Sequence, residues 1–247
     1  MDPTDLPHRL SQIATRWTLV FQAHQDPGEQ AALARQALVL RYRRAIYRYL
    51  LGAVRDPDAA DDLAQEFALR LVRGDFRRAD PGRGRFRDFL KGALYHLIVD
   101  HHRRRRTAEL SPDVPEPYEQ PPEMPSDQEF LARWREELLN RAWEGLLALE
   151  QQTTQPFFTA LRLKADHPEL RSAGLAIELR RRVGKGYTEA GVRKLLQRAR
   201  AHFADLLLEE VARSLDPPEP AAVEQELLEL DLLAYCRDAL DRFARKT

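Results

Sequence analysis

Residues 107–129 set the strongest limit on how this chain can fold. These 23 residues hold six prolines (Pro112, Pro115, Pro117, Pro121, Pro122 and Pro125) and seven acids (Glu109, Asp113, Glu116, Glu119, Glu123, Asp127 and Glu129), with no lysine or arginine. Proline interrupts helix and sheet alike, and so many like charges leave too little apolar surface to repay the entropy of ordering. An extended linker is expected, so the chain should fold as two parts, one on each side of it.

Both parts read as helices. Before the linker, residues 10–21 (with Trp17) suggest a short helix ended by Asp26-Pro27-Gly28. Residues 29–54 suggest a long helix with Leu33, Ala37, Leu40, Ile46, Tyr47, Leu50 and Leu51 at helical spacing. Asp56-Pro57-Asp58 breaks the chain and supplies a carboxylate to the next N-terminus. The helix expected at residues 58–73 is amphipathic, with Ala60, Leu63, Ala64, Phe67 and Leu71 on one face and Asp61, Asp62, Gln65, Glu66 and Arg70 on the other. That acidic face is either a solvated surface whose early carboxylates favour the helix dipole or a docking face for a basic partner. A Gly/Arg-rich loop at residues 74–84 leads to a helix expected at residues 85–106.

Beyond the linker a helix is expected to begin near Phe130, with Trp134, Leu138, Leu139, Ala142, Trp143, Leu146 and Leu147 on its apolar face. Shorter helices follow at residues 157–165 and 172–183. Gly184-Lys185-Gly186-Tyr187 makes a turn, and a long helix capped by Thr188 runs over residues 188–211. Helix, glycine-bearing turn and a helix with a basic polar face is the layout of a helix-turn-helix, although any helical hairpin can share it. After Asp216-Pro217-Pro218 a leucine-rich tail helix is expected at residues 221–243, able to pack on the second domain or on a partner. The expectation is an all-α chain: a first helical domain at 1–106, the linker at 107–129, a helix-turn-helix domain at 130–215 and a C-terminal helical extension at 216–247.

Charge is separated along this framework. The chain balances 39 basic against 39 acidic residues, yet residues 76–106 carry ten Lys/Arg against three Asp, a local charge of +7. Phe86, Phe89 and Tyr95 are interleaved with these cations, as a base-stacking surface requires, while the arginines at the helix end also complement its dipole. The linker carries the opposite sign and could lie across this helix when nucleic acid is absent.

Other chemistries find no support in the sequence. A single cysteine, Cys236, excludes an internal disulfide and a cysteine-rich zinc site and fits a reducing compartment. No apolar run approaches the ~20 residues of a membrane span, and the N-terminus lacks a signal-peptide layout, so no membrane association is expected. Walker A, His-Glu-x-x-His, paired Cys-x-x-Cys and nucleophile-elbow motifs are missing; His101 and His102 are adjacent and so point to different helix faces. The chain is expected to be no enzyme, with no catalytic residue, metal or cofactor.

Two stretches carry a family resemblance. DAADDLAQEF at residues 58–67, GRFRDFL at 84–90 and LIVDHHRR at 97–104 resemble region 2 of bacterial sigma-70-type factors. TEAGVR at 188–193 with RAR at 198–200 resembles the helix-turn-helix of their region 4. Two regions with no obvious region 3 resemble the extracytoplasmic-function (ECF) group, and the wording at residues 80–89 with the long Pro-rich linker looks most like ECF-like families of Planctomycetes.

The cysteine count and the lack of a membrane or signal segment lead to the expectation of a cytoplasmic protein. The resemblance implies core RNA polymerase and promoter DNA as partners, with an anti-sigma factor or other regulator as a further partner. It makes Asp61, Asp62, Gln65, Glu66 and Arg70 polymerase contacts. It makes Arg83, Arg85, Phe86, Arg87, Lys91, Tyr95, His96, Arg103 and Arg104 contacts to the promoter -10 element, which this region opens around a flipped base. Thr188, Glu189, Arg193, Lys194, Gln197, Arg198 and Arg200 would read the -35 element. Leu195 departs from the pattern, standing on the apolar stripe where many members place a basic contact; residues 149–170 lack the Leu-Pro opening of region 4, and the tail has no counterpart in a minimal ECF factor. Two other readings remain open: a helix-turn-helix regulator that binds DNA without polymerase, and a non-catalytic helical adaptor.

Overall fold

The computed structural model describes residues 29–73, 75–76, 85–109, 126–215 and 218–245. Among these the chain is all-α, as expected, with nine helices: α1 (Glu29–Val54), α2 (Pro57–Arg73), α3 (Phe86–Glu109), α4 (Asp127–Thr153), α5 (Phe157–Asp166), α6 (Ser172–Val183), α7 (Glu189–Arg213), α8 (Pro220–Glu229) and α9 (Leu233–Ala244). The helix expected at residues 10–21 lies outside the described residues. Two compact units divide the chain, one of Met1–Glu137 with Arg213–Pro218, the other of Leu138–Ala212 with Glu219–Thr247.

The first unit is built on helical stripes that meet in an aromatic cluster. On α1, Tyr42, Ala45, Ile46, Tyr49 and Leu50 recur every three or four residues and are all buried. Leu40, expected on that face, is 52% exposed instead; the register is set by the two tyrosines, whose larger rings claim the core positions. Arg55, with a φ of 55°, ends α1, and the Asp56 carboxylate then accepts the backbone N–H groups of Asp58 (3.0 Å) and Ala59 (3.3 Å), capping α2 with Pro57 in its first turn. α2 buries Ala60, Leu63, Phe67 and Leu71, and α3 buries Phe86, Leu90, Leu94, Leu97 and Ile98.

The first turns of α4 complete this unit. The Trp134 ring stacks on Tyr42 with centroids 4.9 Å apart and planes at 20°, and Phe86 lies 5.0 Å from Tyr42 and 6.2 Å from Trp134. Phe130 meets Tyr49 edge-on at 5.2 Å. These contacts hold the start of α4, up to Glu137, in the first unit. The helices also reach into the expected linker from both ends: α3 runs on to Glu109 and α4 begins at Asp127. Helix propagation costs less than nucleation, so an established helix extends until proline stops it. Residues 110–125, the proline-rich part, lie outside the described residues.

The second unit takes the rest of α4 and α5 to α9. Trp143 packs against Phe203 of α7 at 4.7 Å and Phe158 of α5 at 5.7 Å, with the Arg162 guanidinium 5.6 Å above its ring. Glu150 near the end of α4 accepts both the backbone N–H and the hydroxyl of Thr159, at 2.9 and 2.7 Å, and so holds the first turn of α5. The single tail helix expected at residues 221–243 is broken in two, because Asp231 adopts a φ of 56° between buried Leu230 and Leu232. α8 and α9 fold back on each other, joined by an Arg237–Glu224 ion pair of 2.9 Å, and dock on α7 through Tyr235 against Phe203 (5.9 Å) and Arg242 against Asp205. The tail therefore belongs to the second unit.

Trp134 and Leu40 give opposite expectations. Trp134→Ala lowers the stability of the full chain by about 3–5 kcal/mol in urea or thermal unfolding. Leu40→Ala changes it by no more than about 0.5 kcal/mol.

Candidate nucleic-acid interface

In the first unit, α2 presents Asp62 and Gln65 to solvent, and Asp61, half-buried, accepts a hydrogen bond from the Gln65 amide at 2.8 Å. Glu66 accepts from Arg70 one turn on and, through its other oxygen, from the Arg104 guanidinium of α3 at 3.2 Å. Burial alone would push the Glu66 carboxyl up; the hydrogen bond from Arg104 and the charges of Arg70 and Arg104 outweigh it and hold the group below the usual carboxylate range. Of the five α2 candidates, Glu66 and Arg70 are thus tied to each other, while Asp62 stands free of that network.

The same face carries two positions the sequence reading missed. Leu69 is 54% exposed and Val72 38% exposed, and with Asp62 and Gln65 they form one stripe at three- and four-residue steps. The spacing was visible in the sequence. Leu69 and Val72 were set on neither face, because the outer face was drawn from its polar residues alone.

α3 divides its candidates between core and surface. Phe86 is only 2% exposed and Arg87 5%. Phe86, proposed as a base-stacking ring, is instead a core residue held between Tyr42, Trp134 and Phe89; it stands in the first turn, where α3 must meet α1. Arg87 likewise turns inward and offers no exposed guanidinium. Phe89 is half-buried against Phe76, which touches Phe67 of α2 in turn, at 5.3 and 5.6 Å. Tyr95 and His96 are exposed neighbours with rings 5.7 Å apart, and Arg103 and Arg104 are exposed near the helix end. Arg85 is half-buried, and Lys91 is half-buried and paired with Asp127 of α4. Arg83 lies outside the described residues. Burial, then the neighbouring His101 and Arg105, lower the pKa of His102, which favours its neutral form. Among the described residues no group of three or more His, Cys, Asp or Glu could hold a metal ion.

In the second unit the turn between α6 and α7 is built as its residues suggest. Gly184 takes a φ of 72° and closes α6 by donating its N–H to the Arg180 carbonyl at 2.9 Å. The Thr188 hydroxyl accepts the Gly191 N–H at 3.1 Å and caps α7. Val192, Leu195, Leu196 and Ala199 are buried, which leaves Thr188, Glu189, Arg193, Lys194, Gln197, Arg198 and Arg200 together on the exposed face. Glu189 and Arg193 pair across one turn at 3.9 Å. Beside them lies a groove of about 780 Å³ lined in part by Arg171, Glu189, Arg193 and Arg200. Lys164, also in its lining, fixes the adjoining loop by donating to the Pro168 and Leu170 carbonyls at 2.6 and 2.9 Å. Arg171 was not singled out in the sequence, because it lies outside the periodic helices.

Among the described residues the chain is thus all-helical, with exposed charged side chains on α2, α3 and α7. Residues 38–108 match the family described as sigma-70 region 2. That match covers α2, nearly all of α3 and part of α1, less than half of the chain. No curated protein and no solved structure matches the chain. Among the described residues, no helix is long and apolar enough to cross a membrane.

The Glu66–Arg104 bond gives a pH signature. Because the Glu66 pKa is lowered on folding, its contribution is complete above the ordinary glutamate value of about 4.3 and is lost as pH falls through the depressed one. Arg104→Ala moves the Glu66 carboxyl titration, followed by NMR, back up toward the ordinary value. With the Arg104 side chain 60% exposed, the accompanying loss of stability stays below ~0.5 kcal/mol.

Proposed function

We propose that the chain is an ECF-group sigma factor, of the kind resembling planctomycete families, which docks on core RNA polymerase and directs promoter recognition and melting. The sigma-70 region 2 match over residues 38–108 carries this reading. In it, Asp62 and Gln65, with Leu69 and Val72 beside them, form the polymerase-facing stripe of α2. Tyr95, His96, Lys91, Arg103 and Arg104 of α3 meet the -10 element, with the planar rings on unpaired bases and the cations on phosphates. Phe86 and Arg87, being buried, serve this face by fixing α3 rather than by touching DNA.

α6 and α7 act as a helix-turn-helix that reads the -35 element through Arg193, Lys194, Gln197, Arg198 and Arg200. Their exposure on the polar face of a capped helix supports that role. The acidic, proline-rich segment threads along the polymerase, and the protein works in the cytoplasm under an anti-sigma factor or other regulator. The α8–α9 pair, packed on α7, supports the DNA-reading helix.

A pull-down with core polymerase, followed by run-off transcription from the promoters it selects, tests the reading. Asp62→Arg is expected to weaken core binding about tenfold, since a like charge set against a basic partner opposes association. No association with core enzyme, or association untouched by Asp62→Arg, would overturn the proposal. Tight sequence-specific binding to duplex DNA by the protein alone would favour a polymerase-independent helix-turn-helix regulator.

A further inference from the structure

We infer that Lys91 is a nucleic-acid phosphate contact that Asp127 occupies in the free protein, so that the first turn of α4 is a removable cover on the α3 surface. The inference rests on α3 being the nucleic-acid face. Lys91 pairs with a carboxylate 36 positions away, on a different helix. It stands one turn before exposed Tyr95, on the same side of α3, and a Cβ added to the intervening Gly92 would meet no atom within 4 Å. Among the described residues, the space at Gly92 is thus open beside Lys91 and Tyr95, and Asp127 is the carboxylate set against Lys91.

Asp127 is held in place by its own helix. The Ser126 N–H donates to the Glu129 carboxylate at 2.7 Å, while the Glu129 N–H donates to the Ser126 hydroxyl at 3.2 Å, a reciprocal capping box around Asp127. One turn further, Phe130 and Trp134 are locked against Tyr49, Tyr42 and Phe86. The carboxylate is thus delivered to Lys91 by a packed helix and a formed cap.

The pair is also easy to open. The Asp127 side chain is 79% exposed and that of Lys91 33%, so both are wet and the attraction is weak. Once released, Asp127 remains favourably placed at a helix N-terminus and in water, and Lys91 exchanges a carboxylate for a phosphate oxygen. Entry of the nucleic-acid backbone gains counterion release that the internal pair cannot supply.

Binding of the full chain to a fluorescein-labelled oligothymidine of about 20 nucleotides, followed by anisotropy, tests this without polymerase. Asp127→Asn is expected to bind about threefold tighter at low salt. It should also steepen the salt dependence by about 0.7 in log–log slope, one added phosphate contact on a single strand. Lys91→Ala should erase the gain in the double variant, and Asp238→Asn, the same charge change at an exposed site in the second unit, should not reproduce it. Asp127→Ser, which removes the charge but keeps a residue able to start a helix, should match Asp127→Asn, with circular dichroism unchanged in both. Unaltered binding by Asp127→Asn, no binding by any variant, or a gain that survives Lys91→Ala or appears with Asp238→Asn overturns the inference. Because polymerase is absent, failure here is distinct from failure of the sigma-factor reading, which the core pull-down decides.

Discussion

The first unit depends on three rings, Tyr42, Phe86 and Trp134, brought together from α1, α3 and α4. Each is almost fully buried, and the tyrosine and tryptophan planes are nearly parallel. Ring pairs of this kind favour defined offsets and tilts, so they fix helix rotation as well as burying area. The rotation of α3 decides which residues it shows to solvent. With Phe86 turned inward, Tyr95 and His96 are turned outward, and Lys91 is brought beside α4. The surface chemistry of α3 is thus a consequence of its core contacts.

Much of this was legible in the residues. Helical spacing identified α2, α3, α6 and α7 to within a few residues, since each alternates apolar stripes with charges and is bounded by proline, glycine or a capping side chain. The outward set on α7 was read from the same periodicity: Val192, Leu195, Leu196 and Ala199 claim the core and leave the cations exposed. Leu195 took its apolar place against the pattern of the resembling family, and its burial agrees with periodicity rather than with analogy.

What escaped the sequence is what depends on partners from distant elements. Aromatic residues near arginines suggest a stacking surface, but a ring at a helix start can as well be the piece that closes a core, and only Trp134, 48 positions away, makes Phe86 the latter. The register of α1 shifted for the same reason, because Tyr42 and Tyr49 have packing partners that local spacing cannot reveal. Composition marked residues 107–129 as unlike their flanks, yet a composition window ignores where helices already under way will stop. The broken tail turns on one left-handed residue, Asp231, and aspartate tolerates that conformation without advertising it.

Glu66 binds one face of the first unit to another, since its two oxygens serve Arg70 on its own helix and Arg104 on the next. A lineage that changed Arg104 would, in the same step, leave Glu66 to Arg70 alone and make the surface of α2 more acidic. The surface charges of α2 and α3 are then not separate traits for selection to adjust. The accessible variants are those in which a change on α3 is answered by one on α2.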